Sequence, residues 1–327
     1  MFLRSTYRIL TWRWVMLIIG AMALTTFGIE ACKKTDGVSR LSLTLLPFVT
    51  PPGFPEPHYK FENNPLSEEG FTLGRKLFYD GRLSKDGNFP CASCHQQFAA
   101  FSTFDHQLSH GFNNQFTLRN APGLFNMAWL SEMHWDGGIN HIEVQPLAPI
   151  TAPNEMAEDI NNVVGKLEQD PVYKTLFKKA FGDEQITSQR MLLALTQFVA
   201  SLVSADSKYD KMKKGEVTFN VSEQNGYRLF QEKCASCHQE PLFTDFSFRN
   251  NGMDLDPYLN DFGRLRITGN SADSLKFKMP SLRNVAVTAP YGHDGRFISM
   301  TDVLNHYSEG IVQGPTLDPS LVNGIPL

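Results

Sequence analysis

Cys91-Ala92-Ser93-Cys94-His95 and Cys234-Ala235-Ser236-Cys237-His238 are the two stretches that decide the fold of this chain. In each, two thiols stand three residues apart, so a single helical turn carries both on one side. An imidazole follows at once. Each thiol can form a thioether with a vinyl group of a haem, and the histidine then reaches the iron as an axial ligand. The alternative for paired cysteines is a zinc knuckle. Three features weigh against zinc: a histidine directly after both pairs, the wide separation of the pairs, and an export-like N-terminus. The expected cofactors are two covalently bound haem c groups. Cys91, Cys94, Cys234 and Cys237 hold them, with His95 and His238 on the irons.

The surrounding sequence fits a secreted protein. Arg4, Arg8 and Arg13 precede an apolar run from Val15 to Phe27, which ends near Gly-Ile-Glu-Ala-Cys32. That is the layout of a secretory signal over residues 1–31. A membrane-spanning anchor is the competing reading, but the run is shorter than the roughly 20 residues that cross a bilayer. Cys32 follows Ala31 and precedes two lysines, which resembles a bacterial lipoprotein site; Glu30 is unusual there. The expected location is periplasmic, with a lipid anchor at Cys32. Of five cysteines, four belong to the CxxCH motifs and the fifth is Cys32, so none is left for a structural disulfide. Net charge is −4 with both signs mixed along the chain, which speaks against nucleic acid.

The 327 residues favour two domains. Leu41 to Pro57 is rich in proline and reads as the end of a tether over residues 32–57. A helix-like segment, Ser67–Tyr79, leads to the first CxxCH, with Ser67 as N-cap and Glu68 and Glu69 in its first turn. Ser222–Lys233 does the same before the second, with Ser222 as the expected N-cap. Between them the periodicity predicts helices over Met156–Lys166 and Val172–Phe181, and another over Thr187–Val203. Met191, Leu192, Leu195, Phe198, Val199 and Leu202 form the apolar stripe of that last helix. The polar run Ser204 to Lys214 marks a boundary between residues 58–210 and 211–327. Alternating strand patterns are almost absent. The expected fold is mainly α, with two cytochrome c-like haem domains and long loops.

Further motifs carry a family resemblance. After the first CxxCH come Arg119-Asn120-Ala-Pro122, Trp135-Asp136-Gly137, Gln145, Pro149 and Glu155-Met156. After the second come Pro280-Ser-Leu-Arg283-Asn284 and Thr288-Ala-Pro290-Tyr-Gly-His293-Asp294-Gly295. This ordered set resembles the bacterial di-haem cytochrome c peroxidase/MauG family from about Phe54 onward. The resemblance implies a peroxidatic haem in the N-terminal half and an electron-transfer haem in the C-terminal half. It places Trp135 between the haems and Gln145 and Glu155 beside the peroxidatic one. Glu155 then moves a proton between the oxygens of H2O2; its competing reading is an acidic cap on a helix from Met156. His110 resembles the distal histidine of the peroxidatic iron, with His106 as local competitor. Asn120, Thr288 and Pro290 match positions whose oxygens hold a calcium ion. The partners implied are H2O2 and a small donor, cytochrome c or cupredoxin, and a homodimer is common in the family.

Two departures stand out. Tyr307 occupies the place of the methionine that ligates the second iron in conventional members, and tyrosine there resembles MauG. A phenolate lowers the potential relative to a thioether. The alternatives are that Tyr307 packs with Val303 and Leu304 while Met279, Met300 or His306 ligates. The other departure is the ending Asn323-Gly-Ile-Pro-Leu327, where relatives usually continue with a helix. His134 also replaces the usual aromatic residue before Trp135, as a buried ring or as a titrating group near the electron path. Three functions compete: a peroxidase, a MauG-type oxidase of a protein substrate, and a di-haem electron carrier. Gln145 and Glu155 oppose the carrier, His110 favours the peroxidase, and Tyr307 favours the oxidase.

Overall fold

The computed structural model describes residues 41–322, so the signal-like segment, Cys32 and the last five residues lie outside the described residues. The proline-rich stretch is fixed to the body from Thr44 onward. Leu46 N donates to Leu66 O at 2.9 Å, and Thr44 Oγ1 donates to Glu69 Oε1 at 3.0 Å. Phe48 and Phe54 set their rings 5.7 and 5.3 Å from Trp129, whose Nε1 donates to Pro55 O at 2.8 Å. Aromatic residues between the prolines give this arm an apolar face, and its burial offsets the cost of ordering an extended chain.

Helix α1, Glu68–Phe78, begins where Ser67 Oγ accepts from Gly70 N, as its sequence predicts. A single turn, α2 (Cys91–Cys94), carries the first thiol pair. The five-residue α3 (Leu147–Thr151) follows, then α4 (Ile160–Glu168) and α5 (Pro171–Phe181). The predicted start at Met156 is four residues early. Asp159 takes the Asn161 amide at 2.8 Å and caps α4, while the chain around Glu155 and Met156 is a tight turn. The expected acidic cap at Glu155 is therefore replaced by Asp159.

Helix α6, Ser188–Ala200, starts one residue after the predicted Thr187, which caps it, and stops short of Val203. Asn126 ends it: its amide donates to Leu202 O, and its side-chain oxygen accepts from Ser204 N, both at 2.8 Å. Met191, Leu192, Leu195 and Phe198 are buried as the stripe predicts. α1 lies against α6 at close range. A Cβ on Gly74 would collide with the Ala194 carbonyl, and one on Gly70 with the Gln197 amide.

The polar run after α6 is structured. Ser207 and Asp210 form a capping box on α7 (Lys208–Lys213), and Asp210 is buried. Helix α8, Val221–Lys233, leads to the second thiol pair. Its cap is Asn220 rather than Ser222, because Asn220 and Glu223 accept each other's amide hydrogens at 2.9 and 2.8 Å. Beyond it, short pieces dominate: β1 (Phe248–Arg249), α9 (Leu265–Thr268), β2 (Phe277–Lys278) and α10 (Met300–Asn305). β1 and β2 pair antiparallel with Phe248 opposite Lys278. A wide turn, His306–Gly310, continues α10. The fold is mainly α with long loops. Its largest core lies among α1, α4, α5 and α6, whereas no residue of α8 is buried. Among the described residues no helix is long and apolar enough to cross a membrane.

Candidate haem sites

The first site is built on α2. His95 N donates to Cys91 O at 2.9 Å, which closes the turn and places both thiols beside the imidazole. His95 Nδ1 lies 2.8 Å from Phe101 O. Ala100 and Phe101 both adopt left-handed backbone conformations, φ +51° and +58°, and this strained pair brings the carbonyl to the ring. With Nδ1 engaged, Nε2 is the nitrogen free for a metal. Burial holds the imidazole below its usual pKa, so it is neutral, as a ligand must be. Burial also pushes the Cys91 thiol up to about 12.

The second site repeats the arrangement at the end of α8. His238 N donates to Cys234 O at 3.0 Å. His238 Nδ1 lies 3.2 Å from Phe243 O and 3.1 Å from Pro280 O, which again directs Nε2 outward from the carbonyls. Phe243, like Phe101, is left-handed, with φ +55°. Two thiols on one turn beside a neutral, carbonyl-anchored imidazole are the donor set that haem c requires, and both sites fit it. No disulfide joins the described cysteines.

Around the first site, Glu155 stands in the turn that follows α3. Its carboxyl is half-buried, accepts no hydrogen bond from the described residues and is close enough to Cys94 to repel its thiolate. Burial alone raises its pKa. The His110 loop is locked to this turn. Phe112 N donates to Glu155 O at 2.7 Å, and a Cβ on Gly111 would come within 2.7 Å of Glu155 Cα. His110 Nδ1 bonds Asn114 Oδ1 at 2.7 Å, and its ring packs 4.5 Å from Phe116 and 5.3 Å from that of His106. Gln145 precedes α3, with Nε2 3.5 Å from His134 Nε2. Burial lowers the His134 pKa, and the ring lies within electrostatic reach of His95. His134 is therefore both a half-buried ring and a neighbour of the first site.

Trp135 is fixed by its Nε1, which donates to Asn120 O at 2.9 Å. Asn120 N donates in turn to His293 O at 2.8 Å, and Asn120 Nδ2 to Gln107 O at 3.0 Å. Gly295, at φ +71°, lies against Gln107, where a Cβ would sit 2.5 Å from the carbonyl oxygen. The Arg119-Asn120 and His293-Asp294-Gly295 motifs, far apart in sequence, thus meet beside the His110 loop. Thr288 Oγ1 approaches Val285 O at 3.5 Å, and Pro290 is buried. Among the described residues, no cluster of His, Cys, Asp or Glu could hold a metal ion.

Tyr307 lies in the turn after α10. Burial raises its pKa, and its hydroxyl lies within electrostatic reach of Cys237 and Cys234. Its neighbour His306 is committed elsewhere, with Nε2 2.9 Å from Asn251 O. Met279 adjoins Pro280, whose carbonyl holds His238 itself.

A family model described as di-haem cytochrome c peroxidase matches residues 68–218. Methylamine utilization protein MauG of Methylorubrum extorquens is 35% identical over 93% of this chain and 86% of its own length. The chain belongs to the di-haem cytochrome c peroxidase/MauG family. Cytochrome c551 peroxidase of Nitrosomonas europaea is likewise 35% identical, over 80% of this chain and 81% of its own. Relatives thus carry both kinds of name. The crystal structure of a MauG-like protein associated with microbial copper homeostasis aligns with a TM-score of 0.75 at 33% identity, over 86% of this chain and 91% of that one. The diheme peroxidase BthA from Burkholderia thailandensis shares the fold, with a TM-score of 0.68 at 20% identity over 79% of this chain and 78% of that one. Family membership implies haem c as the cofactor.

Three charged contacts near the sites have no local signal in the sequence. Arg119 grips Asp261 with Nε–Oδ2 2.6 Å and Nη2–Oδ1 2.8 Å, and reaches Asp136 Oδ2 at 2.7 Å. Arg283 grips buried Asp210 at 2.9 and 2.8 Å. Lys278 is buried between Phe277 and Met279 and donates to the Glu132 carbonyl.

Proposed function

We propose that this chain is an exported di-haem peroxidase that reduces H2O2 to water with electrons from a small redox protein, a cytochrome c or cupredoxin. The observation that carries this reading is Glu155: a carboxyl within electrostatic reach of Cys94, with a raised pKa and no hydrogen-bond partner among the described residues. A base so placed is free to act on a ligand. Haem, when bound through Cys91 and Cys94 with His95 on the iron, supplies the redox chemistry and the binding position for peroxide. Glu155 takes the proton from the proximal peroxide oxygen and returns it to the distal one, so that water leaves. Gln145, tethered to His134, orients the peroxide by hydrogen bonding. His110 would be the distal histidine of that haem. Trp135 would carry electrons between the two haem sites. The full reaction consumes two electrons and two protons and yields two waters.

In this reading, residues 58–210 and 211–327 are the peroxidatic and electron-transfer lobes. Asn120, Thr288 and Pro290 supply oxygens for a calcium ion between them. Residues 1–31 export the chain to the periplasm, where Cys32 can carry a lipid; a homodimer fits the family pattern. A second reading, a MauG-type oxidase of a protein substrate, is favoured by Tyr307 within electrostatic reach of the second thiol pair. Optical and EPR spectra of the oxidised and half-reduced protein, followed by peroxide, test both. The peroxidase reading expects half-reduction to free a high-spin haem and turnover to require a reduced donor. Peroxide reacting with the fully oxidised protein, without donor, supports the oxidase. A low-spin pair indifferent to peroxide removes both.

A further inference from the structure

Lys278 holds the Trp135 segment at two points. Its backbone N donates to Trp135 O at 2.7 Å, and its Nζ donates to Glu132 O. The ammonium is buried, with the residue 9% exposed, and makes no ion pair among the described residues. Among the described residues, the two carboxylates that draw on it are already taken by arginines. Glu132 pairs with Arg264 at 3.0 Å, and Asp136 with Arg119 at 2.7 Å and more loosely with Arg266 at 3.8 Å. Lys278 therefore adds an uncompensated positive charge where water does not screen it. Its pKa is brought down to about 8 by burial, although Glu132 and Asp136 draw it the other way.

The ammonium is tied to the chain three residues before Trp135. The Trp135 Nε1–H points at the Asn120 carbonyl, a group that cannot take the proton. An electron removed from this indole leaves a ring that stays protonated and carries a full positive charge. Such a charge is disfavoured beside a second unpaired cation.

We propose that Lys278 is a positioning and electrostatic residue for Trp135: it fixes the segment carrying the indole and keeps the indole from resting in its one-electron-oxidised form. This rests on the reading of Trp135 as the route between the haem sites. The oxidant is hydrogen peroxide. Trp135 passes one electron toward the first site and regains one from the second, with no proton exchanged. With Lys278 charged, the hole passes through Trp135 without collecting there.

The test uses the holoprotein, mixed with peroxide in the absence of donor and freeze-quenched for EPR. Lys278→Gln keeps a donor for the Glu132 carbonyl and removes the charge, and Lys278→Met repeats the neutralisation should the first variant lose haem. Lys278→Arg keeps the charge. A several-fold rise in an indole-centred radical is expected in the neutral variants. It should be absent when Trp135→Phe is added and stay at the native level in Lys278→Arg. A native radical yield in both neutral variants overturns the inference, provided that Trp135→Phe alone slows transfer between the haem sites. If Trp135→Phe leaves that transfer unchanged, the route itself is wrong and the inference falls with it.

Discussion

Glu155 is legible in the sequence only through its place between other motifs. By its own chemistry it could equally cap a helix. The structure separates the two roles by starting α4 at Ile160 under Asp159, which leaves the Glu155 carboxyl half-buried and without a partner among the described residues. A carboxyl whose pKa is raised on folding destabilises the folded chain at neutral pH, because charging it there costs more than in the unfolded chain. Glu155→Gln should therefore lower the peroxidase rate by about 10²–10⁴-fold with no loss of thermal stability. Steady-state kinetics alongside a melting curve check both halves. The native rate should fall on the acid side at a pH above the ordinary carboxylate range, as protonation disarms the base, and the variant should lack that limb. Tyr307 calls for a different measurement. If it ligates the second iron, Tyr307→Met exchanges a phenolate for a thioether. The potential of that haem should then rise by on the order of 0.1 V, within the about 0.8 V that axial ligands span. A redox titration that finds no shift removes the ligand role.

Elements were read well where local chemistry fixes them and poorly where a distant contact does. Thr187 starts α6 and Ser67 starts α1 because each side chain caps its own helix. The end of α6 was misjudged because Asn126, far earlier in the chain, takes the Leu202 carbonyl. The contact between α1 and α6 is likewise invisible in either segment alone. Gly74 gives no helix signal of its own, yet it lets the two backbones approach at Ala194. Gly74→Ala improves intrinsic helix propensity by up to about 1 kcal/mol but forces the helices apart. The net effect should be a loss of about 1–3 kcal/mol, read as a lower denaturant midpoint. An unchanged or raised midpoint would mean that α1 slides without cost.

Across the whole molecule, buried ion pairs tie the two halves together. Arg283, which follows the second thiol pair, grips Asp210 in the run first taken as a simple boundary. Burial works against the Asp210 charge, but hydrogen bonds from Arg283 and Ser207 hold its carboxyl down at about 2. A depressed carboxylate pKa stabilises the fold above the unfolded value of about 3.9 and stops doing so as pH falls toward 2. That linkage is worth on the order of 2 kcal/mol. Asp210→Ala leaves Arg283 buried and unpaired, so it should cost about 3–5 kcal/mol at neutral pH. The loss should shrink between pH 4 and pH 2, which denaturation at several pH values will check. A loss independent of pH would assign the effect to packing.

The sequence by itself determined the paired thiol-and-imidazole motifs, the helical class and the ordered motifs of the family. Those are properties of neighbours in the chain: thiol spacing, side-chain caps and apolar period. Only the tertiary structure decided which groups meet. It brought Glu155 within electrostatic reach of Cys94 and Tyr307 within reach of the second thiol pair, and it joined Lys278 to the Trp135 backbone. Burial and charge pairing depend on what arrives from elsewhere in the chain, and no local pattern records that. The two CxxCH turns are therefore alike in sequence and unlike in surroundings, with a carboxyl that has no partner among the described residues near one and a half-buried phenol near the other.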